Sequence, residues 1–338
     1  MPLKASALVH SAAGRILAAA IITGGAALIW LLAGSLLHSG SYEPLIERRA
    51  EPAAGLPDGF VVWSSNRGGN HDIYRMDLPG RELTRLTDHP HLEYHPRISP
   101  DGDKLVFARA RRADTSLRNQ LDWNVILKDL ETGAEKLVAE YANFPTWDAD
   151  GENVHFQHRV EQLGEYDMED EEWKLIFHSG MGRVRKGTGL QTPDVSPDRE
   201  RMALTLRFAQ HLIGIVDFKG RITRIADGCQ LTWSPQGDFL YYVDYGGRMK
   251  NAIYVYEPST RTSHMLLDMP GEFSHEYFPR LSSDERYLVF GASRSARAHE
   301  HDQADFEMFL WQVGTPLENV ERLTFNPGND NYPDIHLY

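Results

Sequence analysis

The chain has 338 residues, 41% apolar and 25% charged, enough to bury a sizeable core. Its net charge is −13, and since Lys4, Arg15, Arg48 and Arg49 outweigh Glu43 and Glu47 in residues 1–50, the remainder carries −15. A body this acidic excludes a general nucleic-acid binder, which needs clustered positive charge to displace counterions from phosphates, and also a body that lies flat on anionic lipid.

Residues 1–15 read as a cytoplasmic N-terminus. Residues 16–37, ILAAAIITGGAALIWLLAGSLL, carry no charge. As a helix this stretch would span roughly 33 Å, against a bilayer core of about 30 Å. It is longer than the apolar region of a cleaved signal peptide, so a transmembrane signal anchor is expected. Lys4 and Arg15 precede it and no charge follows until Glu43. The positive-inside rule then gives a single-pass inner or plasma membrane protein, its N-terminus cytoplasmic and its body periplasmic or extracellular. LAGS at 32–35 has the shape of a lipoprotein cleavage box, but Ser35 stands where the lipidated cysteine must be. Residues 38–58, with Gly, Ser, Pro and mixed charge, read as a linker.

A phrase then recurs: EYHPRISPDG at 93–102, NFPTWDADG at 143–151, QTPDVSPDRE at 191–200, CQLTWSPQGD at 229–238, EYFPRLSSDE at 276–285, and NYPDIHLY at the end. Its proline stands at 96, 145, 193, 279 and 333, with Leu231 in the fourth copy. Each of the first five copies precedes an apolar strand (KLVFARA, NVHFQHR, MALTLRF, FLYYVDY, YLVFGAS). A second follows (NVILKDL, WKLIFHS, LIGIVDF, AIYVYEP, EMFLWQV), and a more polar third closes each unit. β-Branched and aromatic residues dominate these runs, and Gly, Pro, Asp and Asn separate them. Four short strands per unit of about 40–45 residues is a propeller pattern. Residues 94–324 supply five blades. GFVVWSS, DIYRMDL and ELTRLT supply three strands of a sixth, and the C-terminal strand 332–338 supplies its inner strand, which leaves no edge exposed. The expected fold is an all-β six-bladed β-propeller over 59–338, preceded by a single N-terminal transmembrane helix. The proline is expected to start each inner strand, and Asp-Gly to form the turn that follows. The one cysteine, Cys229, excludes an intrachain disulfide and a Cys-based zinc site; in DGCQLTW it reads as a buried strand start.

The first unit, SSNRGGNHDIYRMDLPGRELTRLTDHPHLEYHPRISPDGDKLVFAR, resembles the WD40-like, PD-G type repeat of TolB-type propellers. The hallmarks of that repeat are the DIYRMDL strand, the RLT strand and the SPDG turn. The resemblance covers 59–338, with units three and four degenerate. It implies an interaction platform in the cell envelope. The chain departs from that family in its membrane anchor and in a segment, 38–58, too short for the family's N-terminal α/β domain.

Strand alternation puts the loops leading into the inner strands on one face, together with the loops joining strands two and three. We call this the loop face; the SPDG turns lie on the opposite, turn face. Loop-face binding is expected from the insert RARRADTSLRNQLD at 109–122, through Arg111, Arg112 and Arg118. It is also expected from the acidic stretch EQLGEYDMEDEE at 161–172, through Tyr166, Asp167 and Glu169, and from SRSARAHEHDQAD at 293–305. A polar ring at the channel mouth is expected from Glu93, His95, Asn143, Gln191, Gln230, His275, Glu276, Asp330 and Asn331. His89, His91 and His95 in DHPHLEYH lie on a proline-bearing loop, without the helix that would align an i, i+4 zinc pair, and read as loop lining. MGRVRKGTG at 181–189 opens no helix and reads as a connection between strands. No GxSxG, HExxH, phosphate-binding loop or CxxCH is present.

Two readings follow. In the first, a membrane-anchored envelope propeller binds a protein or polymer with its loop face, with no cofactor. In the second, the chain is a polysaccharide (uronate) lyase-like enzyme. Related propellers imply His95, His275, Gln191 and Gln230 as holders of a divalent channel metal, and Arg109, Arg111, Arg112 and Arg118 would face the uronate. The acidic body would repel such a substrate, so binding is the expected function.

Overall fold

Strands buried along their whole length need a partner on each face, and GFVVWSS and YLVFGAS are buried at every residue. The computed structural model, which describes residues 55–209, 211–294, 301 and 305–338, supplies those partners as neighbouring blades of a six-membered ring. The expected anchor, and the linker up to residue 54, lie outside the described residues. Among those described, no helix is long and apolar enough to cross a membrane.

The first blade joins β1 (Gly59–Ser65), β2 (Asp72–Leu78) and β3 (Leu83–Arg85). The second holds β4 (Glu93–Ile98), β5 (Lys104–Ala110), β6 (Trp123–Asp129) and β7 (Glu135–Glu140); the third β8 (Ala142–Trp147), β9 (Asn153–His158), β10 (Gln162–Asp167) and β11 (Trp173–His178). The fourth holds β12 (Gly189–Val195), β13 (Arg201–Arg207), β14 (His211–Asp217) and β15 (Ile222–Ala226); the fifth β16 (Cys229–Trp233), β17 (Leu240–Tyr245), β18 (Asn251–Glu257) and β19 (Thr262–Leu267). The sixth holds β20 (His275–Leu281), β21 (Tyr287–Ser293), β22 (Glu307–Gln312) and β23 (Glu321–Arg322). The last strand, β24 (Asp330–Leu337), pairs antiparallel with β1 as the inner strand of the first blade. Every sheet has four antiparallel strands, and the ring is closed. The apolar core is divided accordingly. One buried cluster fills each of the six interfaces between neighbouring blades, and a seventh, around Tyr94, Trp123, Phe306 and Tyr332, lies toward the loop face.

Three local readings need correction. The proline does not start the inner strand: Pro96 is the fourth residue of β4. It lies within a register shift found at the same place in all six inner strands, for example between Tyr94 and Arg97. A bulge leaves one N–H unpaired, so proline costs little there.

The acidic stretch 161–172 is not a loop-face insert. QLGEYD is β10, the third strand of its blade, which makes WKLIFH the outermost. Its acids hid the strand because they alternate with buried Leu163 and Tyr166; the Glu165 carboxylate accepts from Lys174 Nζ at 2.8 Å and lies 3.0 Å from His155 Nε2.

Left-handed turns persist without glycine. Gly102, Gly151 and Gly237 have positive φ, but so do Arg199 and Glu285 in the same turn of other blades. Those two side chains tie to the preceding blade: Arg199 donates to Asp148 at 2.9 Å, and Glu285 accepts from the Gln236 N–H at 3.2 Å.

Candidate functional site

The bulge decides which side chains reach the channel. In all six inner strands the residue before the proline position is left-handed: His95, Phe144, Thr192, Gln230, Phe278 and Tyr332, with φ from 46° to 57°. All six line one cavity of about 510 Å³. Two residues further on, Arg97, Thr146, Asp194, Thr232 and Arg280 line it as well. The equivalent residue of the first blade, Asp334, accepts a hydrogen bond from the Ile98 N–H at 2.8 Å.

The first tier is asymmetric. Phe278, Tyr332, His95 and Phe144, from four consecutive blades, form an arc of rings with centroids 4.1, 4.1 and 4.5 Å apart. Thr192 and Gln230 make the opposite arc polar, and Gln230 Oε1 accepts from the Phe278 N–H at 2.7 Å. Burial, with Arg97, His301 and Arg280 beside it, holds His95 well below its usual range, so it is neutral at pH 7. From the loop face, Leu117, Arg118, Gln120 and His301 reach the cavity. His301 Nδ1 lies 3.2 Å from the Tyr332 hydroxyl.

Of the nine residues expected at the channel mouth, the structure brings His95, Gln191 and Gln230 to the cavity. The other six are buried in the wall. Glu93 accepts from Arg109 at 2.6 Å, and burial raises its carboxyl to about 7. Asn143 accepts from the Phe144 N–H, His275 Nδ1 lies 2.9 Å from the Met249 carbonyl, and Glu276 accepts from the Met269 N–H at 2.7 Å. Asp330 pairs with Arg67 at 2.7 Å, and Asn331 donates to the His301 carbonyl. The bulge shifts the alternation by one residue, so positions before it lose phase with the channel. The signal that sequence reading missed is the position immediately before the recurrent proline.

The loop-face candidates divide. Arg118 lines the cavity. Arg111 stacks on Tyr141 at 3.7 Å and Arg112 pairs with Asp122, both at a separate surface depression. Tyr166 is buried in the third blade's core, 2% exposed, and is no binding residue. Asp167 and Glu169 belong to the β10–β11 turn: the Asp167 carboxylate accepts the Glu169 and Asp170 N–H groups, and the neighbouring Met168 bonds Glu152 beside the β8–β9 turn, which places them on the turn face. His91 Nδ1 lies 2.9 Å from the Ala110 carbonyl, and His89 Nδ1 accepts from the His91 N–H; the pair forms loop lining. Among the described residues, no group of three or more His, Cys, Asp or Glu side chains is arranged to hold a metal ion. Cys229 begins β16 beside the cavity, and burial pushes its thiol up to about 12.

Six four-stranded blades around a two-tiered channel define a closed six-bladed propeller. No protein-family model matches the chain. An uncharacterized protein of Agrobacterium fabrum is 30% identical over 107 residues, 30% of this chain and 36% of that protein. A TolB homolog of Chlorobium chlorochromatii is 27% identical over 149 residues, 42% of this chain and 30% of that protein. These matches span about a third of the length of either relative. Among solved structures, TolB from Acinetobacter baumannii aligns with a TM-score of 0.59 at 15% identity, covering 82% of this chain and 66% of that one. The domain is a TolB-like propeller.

Proposed function

We propose that the chain is a membrane-anchored envelope propeller whose loop face docks a protein or an envelope polymer. The observation that carries this reading is where large apolar side chains are exposed. Leu121, Phe208 and Phe325 stand on loop-face connections and Tyr245 ends β17 at the same face, the four from 47% to 69% exposed. Among the described residues the turn face has only Tyr338, and the remaining exposed apolar side chains lie on the outer strands β3, β7 and β11. Aromatic anchors spread round a rigid rim suit a protein interface. The likeness to TolB propellers supports a partner in the cell envelope and a periplasmic placement, and the uncharged stretch 16–37 would tether the propeller there. The lyase alternative needs His95, His275, Gln191 and Gln230 around one ion, and His275 is buried in the wall rather than lining the cavity.

Site-specific photocrosslinking in native membranes tests the docking face. Crosslinkers at Phe208 and Tyr245 should give one discrete protein or polymer adduct, and one at Asp101 on the turn face should give none. Equal adducts from both faces, or none from either, would remove the loop-face reading.

A further inference from the structure

The channel holds chemistry that docking on the loop face does not use. Arg97 and Arg280 line the same cavity from the second and sixth blades, on either side of the first blade's inner strand. Among the described residues neither guanidinium makes an ion pair. Arg97 Nη1 donates to the carbonyls of Pro96 and Pro333, and its Nε is buried without a hydrogen-bond partner. Arg280 meets the Tyr241 hydroxyl. The charges of Asp334 and Asp194 act on both guanidiniums, but neither carboxylate pairs with them directly: Asp334 accepts from the Ile98 N–H, and Asp194 from the Trp233 N–H at 2.6 Å and the Thr146 hydroxyl at 3.3 Å.

Two like charges buried in the wall of one cavity repel each other. Burial, and after it the Arg280 charge, hold Arg97 below the usual guanidinium range, whereas Tyr241, Asp334 and Asp194 outweigh burial at Arg280 and hold it above, so the unrelieved cost falls on Arg97. An anion seated between them would offset both costs. The Phe278–Tyr332–His95–Phe144 arc offers ring faces in the same cavity, whose volume lies in the range of small-molecule sites, about 300–1,000 Å³.

We propose that the channel binds a small organic carboxylate carrying a flat ring, with the carboxylate between Arg97 and Arg280 and the ring against the aromatic arc. Neither group suffices alone. The arginines select the anion, and the arc selects the ring over a bare inorganic anion.

Titration calorimetry on the full-length protein tests this with phenylacetate and 2-naphthylacetate as probes. Acetate (acid without ring), benzyl alcohol (ring without acid) and inorganic phosphate serve as comparisons. The ring acids should saturate the site, and the three comparison compounds should bind about tenfold more weakly or less. Arg97→Met and Arg280→Gln should each weaken ring-acid binding about tenfold or more and leave benzyl alcohol unchanged. Tyr332→Leu should weaken the ring acids and leave acetate unchanged. Far-UV circular dichroism establishes which variants fold, and Arg280→Gln and Tyr332→Leu carry the test if Arg97→Met does not. Absence of saturable ring-acid binding up to roughly 10 mM, or phosphate binding as tightly as the ring acids, would overturn the proposal.

Discussion

At Glu276 the chain holds a carboxyl away from water, and burial raises it to about 8. Its ordinary value is 4.5, so the folded protein holds this proton more tightly than the unfolded chain does. Stability from this group is therefore complete below about pH 4.5 and lost as pH rises to about 8. Glu276→Gln keeps an acceptor for the Met269 N–H and removes the titration. The expected outcome is a flatter dependence of Tm on pH between 5 and 8 than in the unaltered protein, read by scanning calorimetry; an unchanged slope would contradict the assignment. Gly102 and Gly133 separate two other costs. Both have positive φ, but a Cβ on Gly102 would come within 2.6 Å of His336 in the closing strand, whereas one on Gly133 meets nothing within 4 Å. Gly133→Ala should cost about 1–2 kcal/mol of backbone strain and Gly102→Ala distinctly more, measured by urea unfolding. The asymmetry arises because one turn packs on a neighbouring blade and the other faces solvent.

The strands of a blade are unequal. β1 and β21 are buried at every residue, whereas β3 is exposed throughout and β23 has two residues. Hydrogen exchange should follow that order. Amides of β1, β13 and β21 should persist longest, and those of β3 and β23 should exchange first, because few buried contacts oppose their local opening. Uniform protection across the four strands of a blade would refute this ranking. The repeated apolar runs mark the second strands, since these are buried on both faces. In the third blade Glu165, Asp167 and their neighbours obscured β10, because Glu165 is satisfied by His155 and Lys174 across the sheet and Asp167 by the N–H groups of its own turn, and such pairing is invisible along the chain.

The ring depends on its closure. β24 lies against β1 and contacts β4 and β20 of the two adjoining blades, and Arg67 joins Asp330 across the seam. Removing residues 330–338 would bare the edge of β1, withdraw Tyr332 from the aromatic arc and open two interfaces. We expect the truncated chain to lose its cooperative thermal transition and to self-associate, as read by calorimetry and light scattering. A truncated chain that stays monomeric with an unchanged Tm would show that the seam is dispensable.

The recurrent phrase and the apolar runs between its copies were enough to read six blades from the chain, because a blade is a local unit whose strands follow one another in sequence. The channel was only partly legible. His95, Gln191 and Gln230 reach it, whereas Glu93, Glu276 and Asp330 do not, because a bulge at the proline shifts the alternation by one residue. Phe144, Phe278 and Tyr332 gave no sign of forming one arc, and Arg97 and Arg280, 183 positions apart in the chain, gave no sign of lining one cavity. Those contacts exist only once the ring is closed, since each blade contributes a single residue per tier and adjacency round the channel is set by how whole blades pack.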